Sequence, residues 1–315
     1  MSKKLSIITP HKDDIDGLFS IFKMLSNQTS NYWEWIIIDD FSSEKNRLIL
    51  RDFESNLLDD NVKVIFNKEN FGPSKSRNTG VFYATCQNII FLDSDDEITP
   101  KFVQHRLITV NDFTVFLNFK IKDKNGQIGS FSNINTDFLT NFLKAKFSWQ
   151  TTAVLWNKDF LQSINLFNEE LILLEDIELV IKALFISKNF KVLYDNEVDY
   201  YYYLKPIDIK KRNIQKVATS VDILVNSLCN NKNLNLSKSE LKFLSSYYYL
   251  SVKYIFRSKE YGKIKFVYGN LNTIFKNKCI NYKEYILGNI ILKLFSLRLI
   301  KDTIFLRINR YLYKK

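Results

Sequence analysis

Two carboxylates, Asp93 and Asp95, flank Ser94 directly after the apolar run Ile89-Ile90-Phe91-Leu92. At a strand end such a pair can share a hard divalent cation, Mg2+ or Mn2+, which keeps open positions for phosphate oxygens. A cation bridging a diphosphate neutralises the charge that builds on it as a leaving group. The competing reading is structural: Asp95 or Asp96 caps a short helical turn near Pro100.

Three further groups could carry chemistry. Asp39-Asp40 follows the apolar run Trp33–Ile38 and precedes Ser42-Ser43. A carboxylate there can accept the imide N–H of a uracil or the hydroxyls of a ribose, or it can cap the next helix. The segment from Asn70 to Gly80 contains Gly72-Pro73, Lys75 and Arg77. A helix starting at Pro73, with cations near its N-terminus, suits an anion; Gly80 reads equally as a packing position between helix and sheet. Glu175-Asp176 opens a helical stretch, Ile177–Phe185. An acid there can take a proton from an incoming hydroxyl, or can simply favour a helix N-terminus. His11, the run Tyr200–Tyr203, Trp149 and Trp156 are weaker candidates, each read as ligand contact or as ordinary edge and core.

The elements that must position these groups read as alternating strands and helices. Strands are expected over Leu5–Thr9, Trp33–Ile38, Val62–Phe66 and Asn88–Leu92. Helices are expected through Leu18–Leu25, Glu44–Glu54 and Pro73–Ala84. The alternation implies parallel pairing in a layered α/β sheet, whose ligands bind beyond the carboxyl ends of the strands. Thr9-Pro10-His11, Asp39-Asp40 and Asp93–Asp96 all fall at that edge. Downstream, Phe113–Lys122, Ser148–Trp156, Lys191–Tyr194 and Val198–Tyr203 read as strands, with a turn at Asn125-Gly126 and helices at Asp159–Ile164 and Ile177–Phe185. Pro206 and the charged segment Asp208–Arg212 mark a boundary. Beyond it the pattern is helical, about Val217–Cys229, Leu241–Arg257, Lys263–Phe275 and Tyr282–Tyr313.

Composition narrows the class. The 315 residues are 46% hydrophobic and 25% charged, which excludes a disordered or collagen-like chain. No apolar run approaches the roughly 20 residues of a membrane-spanning helix, and the run Leu5–Ile8 is too short for a signal peptide. Cys86, Cys229 and Cys279 are three and widely spaced, so neither zinc nor a disulfide framework is indicated. With only two histidines, the chemistry rests on carboxylates. A cytoplasmic location is expected. Charge is uneven: residues 205–315 hold 23 Lys+Arg and 6 Asp+Glu, a net of +17, on a body of net −6. Such a segment favours polyanions. In Tyr282–Tyr313 the cations fall on no single face, so an interfacial membrane helix and a helix packed on its own domain both remain open.

The ordered motifs Ser6–Pro10, Ile36–Ser42, Asn70–Gly80 and Phe91–Asp96, followed by Phe167–Leu171 and Glu175-Asp176, resemble the bacterial family 2 glycosyltransferases of the GT-A fold. The likeness covers roughly residues 4–204. His11-Lys12 stands in place of the usual Tyr-Asn, and Phe41 where Gly is common. The resemblance implies an α/β, Rossmann-like GT-A domain with a mixed central sheet over residues 1–205; the helical pattern and the charge beyond it make 206–315 a basic helical region. It implies an inverting hexosyltransferase that uses a UDP-sugar with Mn2+ or Mg2+; the basic region, which lies outside the resemblance, suggests an acceptor presented at a membrane, a hydroxyl of a growing glycan or glycolipid such as lipooligosaccharide, capsule or a lipid-linked oligosaccharide. Thr9, Pro10, Asp39, Asp40, Arg77, Asp93 and Ser94 would line the nucleotide-sugar site, with Thr9 and Asp40 on the uridine. Asp93 and Asp95 would hold the metal. Asp176 would be the general base, with Glu175 beside it.

Outside the resemblance, the basic region points to an anionic membrane surface, and so to a peripheral position on the inner face of the cytoplasmic membrane. Nucleic acid is not an expected partner. The competing readings are a transferase to polyprenyl phosphate and a non-catalytic polyanion binder that uses the basic tail and the aromatics of Tyr247–Tyr254.

Overall fold

The computed structural model describes residues 4–57, 61–123, 125–130, 136–204 and 213–315. The boundary read at 205/206, with Pro206 and Asp208–Arg212, lies outside them. The chain forms two compact units. The first is Met1–Asn133, Trp149–Glu169 and Ser187–Pro206; the second is Ile134–Ser148, Glu170–Ile186 and Ile207–Lys315.

The first unit begins β1 (Leu5–His11), α1 (Ile15–Ser26), β2 (Trp33–Asp39), α2 (Glu44–Ser55), β3 (Val62–Phe66), α3 (Pro73–Tyr83) and β4 (Asn88–Phe91). It continues with β5 (Glu97–Ile98), α4 (Phe102–Arg106), β6 (Phe113–Phe116), β7 (Lys120–Asp123) and β8 (Ile128–Ser130). Within its span the second unit contributes α5 (Phe138–Leu143), and the first resumes with β9 (Val154–Asn157) and α6 (Lys158–Ser163). After α7 (Glu175–Ile186) of the second unit come β10 (Lys191–Leu193) and β11 (Tyr200–Leu204) of the first.

Seven strands form the main sheet in the order β10-β6-β9-β4-β1-β2-β3. All neighbours pair in parallel except β9, which runs antiparallel to both β4 and β6. The sheet is therefore mixed. The central strands are covered on both faces, which is why they read as near-continuous apolar runs. Leu5, Ile7 and Ile8 of β1, and Trp35, Ile37 and Ile38 of β2, are all fully buried. Register pairs His11 with Asp39 and Ile8 with both Ile36 and Phe91, so the chain leaves β1, β2 and β4 at one edge. α1 buries Leu18, Ile21 and Leu25 at helical spacing.

On α3 the glycine is a packing position. A Cβ at Gly80 would lie 2.2 Å from Ile8 Cγ2 in the centre of β1. Gly80→Ala gains helix propensity of about 1 kcal/mol, but the overpacking strain of about 1–3 kcal/mol outweighs it. The expected outcome is a lower denaturation midpoint with an unchanged slope; a midpoint at or above the wild-type value contradicts this packing.

Some expected elements are divided. The alternating stretch Phe113–Lys122 splits into β6 in the main sheet and β7 in a second sheet of order β5-β11-β7-β8. Ser148–Trp156 is strand only from Val154, after a short 3-10 turn at Thr151–Ala153. Trp149 and Trp156 are core residues, each 2% exposed, and Tyr200 is fully buried.

The second unit is helical: α5, α7, α8 (Ile214–Asn230), α9 (Lys238–Phe243), α10 (Ser245–Ser258), α11 (Lys265–Lys276), α12 (Tyr282–Ser296) and α13 (Asp302–Tyr313). α8 buries Ile214, Ala218, Val221, Leu224, Val225 and Leu228, the stripe of an amphipathic helix. The stretch expected as one helix over Tyr282–Tyr313 is two, with a break at residues 297–301. Tyr247 and Tyr248 are fully buried, and their hydroxyls donate to Phe142 O at 2.5 Å and to Asn309 Oδ1 at 3.1 Å. These rings are committed to the core, which removes them as stacking platforms for a polyanion. Among the described residues no helix is long and apolar enough to cross a membrane.

Candidate active site

The edge where β1, β2 and β4 end gathers most of the expected residues, and it separates two adjacent acids into different roles. Asp40 is a clamp. Its Oδ1 accepts from Asn67 Nδ2 at 2.9 Å and from the Phe71 N–H at 2.8 Å, and its Oδ2 accepts from the Gly72 N–H at 2.8 Å. The same Asn67 amide donates to Ser76 Oγ at 3.2 Å, which joins the loop to the first turn of α3. The Phe71 and Gly72 amides just before α3 are thus occupied by a carboxylate of the protein itself.

Asp39 is fully buried. Its Oδ2 accepts from the Ser42 N–H at 3.3 Å and lies 3.5 Å from Arg47 Nε, while Oδ1 has no hydrogen-bond partner. A buried carboxylate oxygen without a donor is costly, and it is available to a donor that a ligand brings. Arg47 also lies over the rings of Phe41 and Phe66. Phe41 takes φ +62°, a left-handed conformation, which accounts for glycine being common at this position in the family it resembles. Thr9 is buried, and its Oγ1 accepts from Trp35 Nε1 at 2.9 Å. Pro10 pairs in register with Ile38. His11 is 2% exposed, and neither ring nitrogen has a hydrogen-bond partner. Burial holds its imidazole below the ordinary value of 6.5, against the opposing pull of Asp39, Asp14 and Asp13.

After β4 the three acids also differ. Asp93 accepts from Arg77 Nη2 at 2.9 Å, and the Arg77 guanidinium lies over the Phe167 ring. Arg77 is 5% exposed, so the pair is built in. Ser94 Oγ donates to Asp14 Oδ2 at 2.6 Å, and Asp14 caps α1 through the Gly17 N–H. A Cβ at Gly17 would lie 2.6 Å from the Ser94 carbonyl oxygen, so only glycine lets α1 approach this turn. Asp96 is 4% exposed and accepts from Thr152 Oγ1 at 2.5 Å. Burial, then the charge of Asp93, raises its carboxyl well above the usual range. Asp96 Oδ1, like Asp39 Oδ1, has no hydrogen-bond partner. The N-cap position of α4 is Lys101, so neither Asp95 nor Asp96 caps that helix.

Among the described residues no group of three or more His, Cys, Asp or Glu could hold a metal alone. Asp93 and Asp95 nonetheless offer the donor set a substrate-bridged Mg2+ or Mn2+ uses: one or two carboxylates, with the remaining positions filled by phosphate and water. The residues fit such a cation.

Glu175 and Asp176 belong to the second unit, in the first turn of α7. Both are half-buried, and Asp176 Oδ1 accepts from the Ile177 N–H at 2.9 Å. Buried Glu178 one turn on pairs with Lys182 at 2.9 Å and accepts from Ser227 Oγ at 2.7 Å, so it is structural. Asp14, Arg47 and Asn67 were not singled out from sequence. For Asn67 the signal is its place directly after β3, at the same edge as the acids.

A mixed sheet with acids at its parallel-strand ends, followed by helices, is the architecture of a GT-A glycosyltransferase domain. Residues 6–156 match the family model described as glycosyl transferase family 2. It is 30% identical over 130 residues to the Escherichia coli UDP-Glc:alpha-D-GlcNAc-diphosphoundecaprenol beta-1,3-glucosyltransferase WfgD, covering 40% of this chain and 50% of that one. It is 29% identical over 176 residues to the Campylobacter jejuni GalNAc(5)-diNAcBac-PP-undecaprenol beta-1,3-glucosyltransferase, covering 53% and 55%. The chain thus spans about half the length of these curated relatives. The fold is shared with S. aureus TarS 1–349 in complex with UDP-GlcNAc, at a TM-score of 0.65 and 18% identity over 99% of this chain and 91% of that one. It is also shared with the mannosyltransferase PcManGT from Pyrobaculum calidifontis in complex with GDP-Man and Mn2+, at a TM-score of 0.55 and 10% identity over 100% and 86%.

Proposed function

We propose that the protein transfers a hexose or N-acetylhexosamine from a UDP-sugar to a hydroxyl of a growing bacterial surface glycan, with inversion at the anomeric carbon. Support comes from the family match, from relatives whose names specify diphosphoundecaprenol-linked acceptors, and from a shared fold with a UDP-GlcNAc complex. The observation that carries the reading is the pairing at one strand edge of Asp39, with its open buried oxygen, and the Arg77–Asp93 ion pair beside Asp95.

In this reading Asp39 accepts the imide N–H of the uracil. Thr9, Pro10 and Ser94 shape the nucleotide-sugar pocket, and Asp40 holds the 67–72 loop around the uridine. Arg77 orients Asp93, and Asp93 and Asp95 would hold Mn2+ or Mg2+. The cation, when bound, offsets the negative charge of the departing diphosphate. Asp176, with Glu175 beside it, takes the proton of the acceptor hydroxyl, whose oxygen forms the new bond as the bond to UDP breaks. A lipid-linked acceptor places the protein peripherally at the inner face of the cytoplasmic membrane, with the basic 206–315 region toward the anionic surface.

Titration calorimetry with UDP, CDP and GDP tests the donor assignment. Asp39→Asn keeps the shape but turns one acceptor into a donor facing the imide. The expected result is selective binding of UDP that weakens on the order of 10-fold or more in the variant, as for a lost hydrogen bond to a charged group, with circular dichroism unchanged. Equal binding of all three nucleotides, or an unchanged UDP affinity, contradicts it.

A further inference from the structure

The last helix keeps its two faces apart. Phe305, Asn309 and Tyr313 of α13 are buried four residues apart, and Ser245 Oγ of α10 donates to the Tyr313 carbonyl oxygen at 2.9 Å. The opposite face carries Arg307, Arg310, Tyr311 and Lys314, all exposed. With Lys146 and Lys315 they line an open pocket of about 490 Å3. The wall contains five cations, one aromatic ring and no acid.

These cations are uncompensated. Among the described residues, Lys146, Arg307, Arg310 and Lys314 make no ion pair; Lys315 alone lies near a carboxylate, 3.6 Å from Glu284. On α10, Lys253 feels the crowding: burial first, then the charges of Arg257 and Lys314, lower its ammonium below the ordinary value. A pocket of like charges without counter-charge is stabilised by an anion. Apolar side chains accompany the charge. Tyr311 is 86% exposed, Ile304 lies one turn from Arg307 on the same face at 44%, and Leu297 and Leu299 just before α13 are exposed. A free phosphate gains nothing from such residues, and a nucleic acid could stack a base on Tyr311 but gains nothing from Ile304, Leu297 or Leu299, whereas the boundary between lipid head groups and acyl chains rewards the cations, the aromatic and the aliphatic side chains together.

We propose that this pocket on α13 holds the phosphate group of an anionic phospholipid, with Tyr311 and Ile304 at the lipid boundary. This deepens the membrane-surface part of the proposed function and rests on it. Near an anionic surface each Lys or Arg contributes about fivefold in affinity, so the triple variant Arg307→Gln/Arg310→Gln/Lys314→Gln should bind on the order of 100-fold more weakly.

Co-sedimentation of the full chain with vesicles tests this, using phosphatidylcholine alone or mixed with phosphatidylglycerol. Binding to the mixed vesicles only, lost in the triple variant and weakened by Tyr311→Ser, is the expected result. Equal binding by wild type and triple variant overturns the proposal. So does stabilisation of the wild type against heat by inorganic phosphate, or its binding to single-stranded DNA, without binding to the mixed vesicles. All substituted side chains are exposed, and matching thermal midpoints confirm that the variants fold. UDP binding on the same samples separates the two readings: its loss with vesicle binding intact rejects the transferase and leaves the lipid site standing.

Discussion

Replacing Asp176 by Asn lowers turnover by about 10²–10⁴-fold, the usual contribution of a positioned general base, with the donor KM little changed. Asp176 sits in the first turn of α7, and its Oδ1 accepts from the adjacent Ile177 N–H at 2.9 Å. An asparagine oxygen can keep that bond but cannot take a proton. The loss therefore falls on kcat and kcat/KM together, as for an interaction made in the transition state. UDP affinity by calorimetry stays at the wild-type value. Glu175→Gln is the comparison, since the two acids are adjacent. A large loss in Glu175→Gln with a small one in Asp176→Asn would transfer the role to the neighbour.

The second large effect is on stability. Asp199 and Arg106 are both fully buried. Arg106 donates to Asp199 through Nη1 and, at 3.1 Å, through Nη2, while its guanidinium lies over the rings of both Phe102 and Phe116. His105 Nδ1 lies 2.9 Å from the same carboxylate. Asp199→Ala leaves Arg106 charged, buried and without its counter-ion, and removal of one partner from such a pair costs about 3–5 kcal/mol. That is a large share of the roughly 5–15 kcal/mol that holds a domain together. Urea denaturation should show this as a strongly lowered midpoint. The double variant Asp199→Ala/Arg106→Met should recover part of the loss, because it removes the unpaired charge as well. A single variant as stable as the wild type would mean that water reaches this pair.

What could be read in the sequence follows from how buried strands look. β1, β2 and β4 are covered on both faces, so their apolar runs and the acids after them stand out. The direction of β9 does not, because an apolar run such as Val154-Leu155-Trp156 is the same whether the strand runs up or down. The break between β6 and β7 was hidden because Leu117 and Phe119 are themselves buried and continue the pattern. The break between α12 and α13 was hidden because Leu297, Leu299 and Ile300 keep the segment apolar. Asp39 and Asp40 are indistinguishable as adjacent letters. Their roles separate only through Asn67, Phe71 and Gly72, which approach Asp40 from about 30 residues away. The cations of α13 appeared scattered because the face they share is defined by what Phe305, Asn309 and Tyr313 pack against.

The most direct test of the account is nucleotide release from a panel of UDP- and GDP-sugars with Mn2+, Mg2+ or EDTA, on wild type and Asp95→Ala, in the presence of a membrane glycolipid fraction as acceptor. The expected result is release of UDP from one UDP-sugar, dependent on the divalent cation and abolished by EDTA and by Asp95→Ala. Release that persists undiminished in EDTA and in the variant, or release of GDP in its place, would contradict it.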